Sequence, residues 1–163
     1  MYSPCLVAFV FLFAFGVAVV AFCARERARG PGVKEQAALL SALRDKLLAT
    51  SSLPSQLPEV CEVLREWQLT PAREAWTDPD AQTIYMAVTD ENNRVYDART
   101  LMLVLLHELA HAAEAKGAQT VALAEHDAAW AERLAGITAA VVNSGLLPYW
   151  AEVDPRYPAH LLE

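Results

Sequence analysis

The sequence predicts an α+β domain, a small antiparallel sheet packed on several helices, tethered by one N-terminal transmembrane helix. Three observations carry that expectation. A run of 19 uncharged, almost wholly apolar residues spans Leu6 to Ala24, long enough to cross a hydrocarbon core of about 30 Å as a helix. Helix-period apolar stripes recur on both sides of a short β-rich stretch. One of the helical stretches, Leu101 to His111, holds His-Glu-x-x-His inside a nearly continuous apolar run. At 163 residues the chain suits one modest domain, divided here into an anchor over 1–24, a basic linker over 25–34 and a soluble domain over 35–163.

Arg25, Arg27, Arg29 and Lys34 follow the apolar run at once. By the positive-inside rule this flank faces the cytosol, so the expected location is a single-pass membrane protein with a cytosolic C-terminal domain. Cys61 is the one thiol of the soluble part, which leaves no intrachain disulfide framework there. From residue 37 onward the chain keeps 9 of its 13 Lys and Arg but 18 of its 20 Asp and Glu. A domain that acidic repels phosphate backbones, so direct nucleic-acid binding is not expected.

Residues 35–49 read as a helix with Leu39, Leu40, Leu43, Leu47 and Leu48 on one stripe. A Ser- and Pro-rich break follows, and Pro58 at a first-turn position opens a short helix to about Trp67. Its inner face is Val60, Cys61, Leu64 and Trp67. After Pro71 the chain reads as β: Ala75-Trp76-Thr77, an Asp78-Pro79-Asp80 turn, then Thr83 to Val88. Asp90-Glu91-Asn92-Asn93 is a second turn before a short return strand at Arg94-Val95-Tyr96. An antiparallel hairpin or meander just ahead of the histidine helix is the reading, with an exposed strand edge suited to receive an extended peptide.

Asp97 is the expected N-cap of a helix over about 98–115, apolar nearly all round and so central to the domain. Lys116-Gly117 is its stop. His107 and His111, at i and i+4, lie on one face and can aim at one ion. Glu108 is set about 100° further round, placed to take a proton from water at that ion. Two histidine ligands with a glutamate base is the chemistry of a zinc peptidase. Catalytic zinc takes three protein ligands, and the downstream candidates for the third are Glu114, Glu125, His126 and Asp127. A last helix carries Trp130, Leu134, Ile137 and Val141 and stops near Asn143-Ser144-Gly145. The aromatic, proline-rich tail reads as an ordered wrap; Tyr149, Arg156, Tyr157 and His160 are its candidate oxyanion donors.

With His107-Glu-Leu-Ala-His111 followed by His126-Asp127-Ala-Ala-Trp130, the chain resembles the WLM and SprT-like zinc metallopeptidases, and is similar to small membrane-anchored members from large DNA viruses and algae. The resemblance covers roughly Trp76 to Trp150. It implies a zincin-like domain, Zn2+ held by His107, His111 and His126, Glu108 as general base, and a protein or peptide substrate. Two departures stand out: a longer, alanine-rich connection between His111 and His126, and Glu125 where the family commonly has glycine. The alternative function is a non-catalytic metal-binding protein, or an interaction module whose peptidase site has decayed, tethered to a membrane.

Overall fold

In the computed structural model, residues 30–50, 53, 57–117, 126–149 and 151–158 are described. Helix α1, Val33–Leu48, is opened by Gly32, whose N–H donates to the Glu35 carboxylate at 3.0 Å. It buries Leu40, Leu43 and Leu47, three of the five leucines of the expected stripe. Helix α2, Pro58–Glu66, starts on its proline, whose missing N–H costs nothing in a first turn. It buries Val60, Cys61, Val63 and Leu64, and Trp67 just beyond it is buried too.

Three strands follow: β1, Gln68–Ala72, β2, Trp76–Asp78, and β3, Thr83–Ala87. Their order is β1-β3-β2. β2 and β3 form the expected antiparallel hairpin around the Asp78-Pro79-Asp80 turn, with Trp76 opposite Tyr85. β1, however, pairs with β3 in parallel. The sheet is therefore mixed, which corrects the expectation of an antiparallel one. The second expected hairpin shrinks to one bridge, Thr89 opposite Val95. Its turn is tied by the Asp90 carboxylate, which accepts from the N–H groups of Asn92 and Arg94 at 2.9 Å each. Asn93 there takes φ 58°, a left-handed value asparagine tolerates.

Helix α3, Ala98–Gly117, begins at Asp97, whose side chain accepts from the Thr100 N–H at 2.8 Å. It packs against α2, β2 and β3, and nearly every residue from Leu101 to Ala113 is buried. Helix α4, Ala128–Asn143, is capped by Asp127 and lies against α3. It ends where Gly145 takes φ +76° and donates its N–H to the Val142 carbonyl. The tail folds back over the start of α3. The Asp154 N–H donates to the Thr100 hydroxyl at 2.6 Å, and Arg156 reaches the Asp90 carboxylate and the Val95 carbonyl.

The membrane expectation is corrected as well. Among the described residues no helix is long and apolar enough to cross a membrane, and residues 6–24 lie outside them. The longest helix of the described residues, α3, carries Arg99, Glu108, Glu114, Lys116 and two histidines, and its apolar side chains pack inside the domain. The fold is α+β with a small mixed sheet. The transmembrane helix is dropped from it, and the single-pass location with a cytosolic domain is dropped with the helix.

Candidate metal centre

Helix periodicity does the first part of the assembly. On α3, His107 and His111 are one turn apart, and their ring centroids lie 5.1 Å apart. Burial of Leu105, Leu106, Leu109 and Ala110 fixes the rotation of the helix, and the same rotation leaves His107 buried and His111 half-buried. The second part is done by α4. Asp127 accepts from the Trp130 N–H at 2.8 Å, which fixes where the helix starts. His126, the residue before that cap, is set against α3.

The three imidazoles form a nearly equilateral triangle. His126 lies 4.9 Å from His107 and 5.0 Å from His111, centroid to centroid. One ligand nitrogen from each ring can be chosen so that all three lie within 4.8 Å of one another. The Nε2 atoms of His111 and His126 are 3.1 Å apart. Two nitrogens on one tetrahedral ion at bonds of 2.0–2.1 Å would be about 3.4 Å apart. The three histidines thus lie close enough to hold a metal ion. Glu114 and Asp127 do not join the cluster; Asp127 serves as the α4 cap, and Glu125 lies outside the described residues.

The electrostatics suit a cation. Burial, then repulsion from His111 and His126, holds the His107 imidazole down to about 4. Burial and His126 hold His111 down to about 4. Both rings are therefore neutral near pH 7 and offer lone pairs, the state a metal needs.

Trp130 walls the triangle. Its ring lies 4.0 Å from His126, 4.9 Å from His107 and 5.2 Å from His111, tilted against two of them and edge-on to His107. An indole over three imidazoles keeps water off that side and limits the ring rotations open to His126. The sequence marks Trp130 as a core anchor; its contact with all three histidines needs the α3–α4 packing and is not visible in spacing.

Glu108 is buried, and burial pushes its carboxyl up to about 7, opposed in part by a hydrogen bond from Thr77. The Thr77 hydroxyl stands 2.8 Å from Glu108 Oε2 and 3.1 Å from the Glu108 carbonyl oxygen. Oε1 has no hydrogen-bond partner among the described residues. Thr77 was not legible as a site residue. Alternation along Trp76-Thr77-Asp78 places its side chain opposite Trp76, yet only the sheet-to-helix packing says what it meets.

No family model, curated protein or solved structure matches this chain.

Of the tail candidates for an oxyanion donor, Tyr149 is exposed and Arg156 is engaged with Asp154, Asp90 and the Val95 carbonyl. His160 lies outside the described residues. Tyr157 differs: it is buried edge-on against Tyr96, and its hydroxyl has no hydrogen-bond partner among the described residues. Burial, then the nearby Glu108 charge, raises its phenol above the ordinary tyrosine range.

Proposed function

We propose that this protein is a zinc-dependent peptidase of the His-Glu-x-x-His type, with His107, His111 and His126 as ligands and Glu108 as general base. The observation that carries the reading is the pairing of a three-histidine triangle with a buried carboxylate one residue along the same helix. A site that only held an ion for structure would have no use for that carboxylate and would close its fourth position. The WLM and SprT-like resemblance belongs to the same proposal.

Bound zinc would supply a Lewis acid for the scissile carbonyl and make water acidic enough to lose a proton near neutral pH. The chain's own residues do the rest. Glu108 accepts the proton of the attacking water on Oε1 and passes it to the leaving amine nitrogen as the C–N bond breaks. Tyr157, whose buried hydroxyl has no partner among the described residues, is the donor assigned to the oxygen that gathers charge. Among the described residues β2 has a neighbouring strand on one side only, so an extended peptide can add beside it and run past Glu108. The substrate class is accordingly an extended stretch of polypeptide.

The test uses the purified full chain. Metal analysis should find about one zinc per chain, and fluorescein-labelled casein should be cleaved, with cleavage abolished by a chelator and restored by zinc. Glu108→Gln should keep its zinc and lose about 10²–10⁴-fold in turnover. Zinc retained with no cleavage by the wild type would leave a structural metal site and sink the peptidase reading.

A further inference from the structure

Glu108 has to present one oxygen to water while its other oxygen is restrained, and Thr77 is the group in place to do that. The two residues are 31 apart in sequence, and both are buried. Thr77 sits at the centre of β2, paired to Ile84 of β3, so its backbone is fixed by the sheet rather than by the helix that carries Glu108. The contact is therefore a bridge between two elements, and it defines where the carboxylate lies relative to the strand edge.

We propose that Thr77 is the positioning residue of the site: its hydroxyl holds Glu108 Oε2 so that Oε1 is the oxygen left for the water proton. The role rests on the peptidase reading above. A hydroxyl has one proton and can donate to one acceptor at a time. Two acceptors stand within its reach, Oε2 at 2.8 Å and the Glu108 carbonyl at 3.1 Å. While the carboxylate is charged, the shorter, charge-assisted bond to Oε2 takes the proton. Once Oε1 has accepted the proton of water, the demand at Oε2 falls and the hydroxyl can turn to the carbonyl without losing a partner. When the proton leaves for the amine, the first bond reforms. Thr77 ends the cycle with its own proton, and the carboxyl is held in both of its states. Burial makes this arrangement worth keeping, because a carboxyl oxygen in that place without a donor would lack any compensation for lost water.

The test compares Thr77→Val, which keeps the shape and deletes the hydroxyl, with Thr77→Ser, which keeps the hydroxyl. Zinc content should match the wild type in both; the melting temperature should match it in Thr77→Ser and fall in Thr77→Val, which leaves Oε2 without its donor. On fluorescein-labelled casein, kcat of Thr77→Val should fall by about 10- to 100-fold with KM little changed, since misplacing a catalytic group by about 1 Å costs on that order. Thr77→Ser should restore most of the loss. A second readout needs no turnover: in metal-free protein the Thr77 hydroxyl proton should be protected from exchange in NMR spectra, and Glu108→Ala should move its resonance upfield, because the carboxylate acceptor is lost and only the main-chain carbonyl of residue 108 remains. Unchanged kcat in Thr77→Val, a Thr77→Ser variant as poor as Thr77→Val, or an unprotected hydroxyl proton each overturns the role of Thr77. If Thr77→Val does not fold, Thr77→Ser and the exchange measurement decide. A wild type that binds zinc but leaves casein intact fails earlier, at the peptidase reading, and takes this role with it.

Discussion

Tyr157 holds a buried hydroxyl without a protein partner among the described residues, and such a group normally costs about 1–3 kcal/mol. On the peptidase reading proposed above, that hydroxyl has a use that offsets the cost, a hydrogen bond to the reacting oxygen. Tyr157→Phe separates the two effects. Its melting temperature should equal or exceed that of the wild type, because the unsatisfied hydroxyl is gone. Its hydrolysis of labelled casein should fall by about 10²-fold, the usual cost of one oxyanion donor. A lower melting temperature would mean that the hydroxyl has a structural partner, and unchanged hydrolysis would remove it from the reaction. At this same scale the sequence was informative about the histidine cluster and silent about its surroundings. His107, Glu108 and His111 declare themselves because helical spacing fixes their relative positions. Thr77 reaches Glu108 from 31 residues away, and no local spacing encodes such a meeting.

The element scale shows why His126 is positioned at all. It precedes α4 by two residues, and Asp127 between them binds the Trp130 N–H. Asp127→Ala should destabilise the protein by about 1 kcal/mol, the ordinary value of an N-cap. It should also weaken zinc binding, because the start of α4 sets both His126 and the Trp130 wall. Thermal melts and competitive zinc titration check the two parts, and zinc affinity equal to that of the wild type would show that His126 is held by something other than the cap. The helices themselves were legible, since their apolar periodicity and caps are local signals. β1 was not, because Pro71 within Gln68–Ala72 reads as a break. Proline cannot donate to a ladder, but β1 lies at an edge of the sheet, where a missing donor is tolerated. Missing β1 also concealed the parallel pairing. The transmembrane expectation drew on the apolar run over 6–24, which lies outside the described residues, and among those no helix is long and apolar enough to cross a membrane.

For the whole molecule, the three histidines couple stability to metal and to pH. In metal-free protein, His107 and His111 are held down to about 4, against about 6.5 in an unfolded chain. The unfolded chain then binds more protons than the folded one, so stability present above about pH 6.5 is lost as pH falls toward 4. Glu108 acts in the opposite direction. Its carboxyl is raised from 4.5 to about 7, so its contribution is present below pH 4.5 and is lost as pH rises through 7. Between about pH 4.5 and 6.5 two histidines oppose one glutamate, and stability should rise with pH across that window. From about 6.5 to 7 only the Glu108 slope remains and stability should dip slightly. On the proposed reading, zinc held by the folded triangle would add about 4 kcal/mol when present at roughly a thousand times its Kd. Because the same protons compete with the ion for His107 and His111, that gain should shrink as pH falls through the same window. Urea unfolding from pH 4.5 to 7.5, with and without zinc, measures both curves. Metal-free stability that fell between pH 4.5 and 6.5, or a zinc increment independent of pH, would mean that the imidazoles are not the groups that meet the ion.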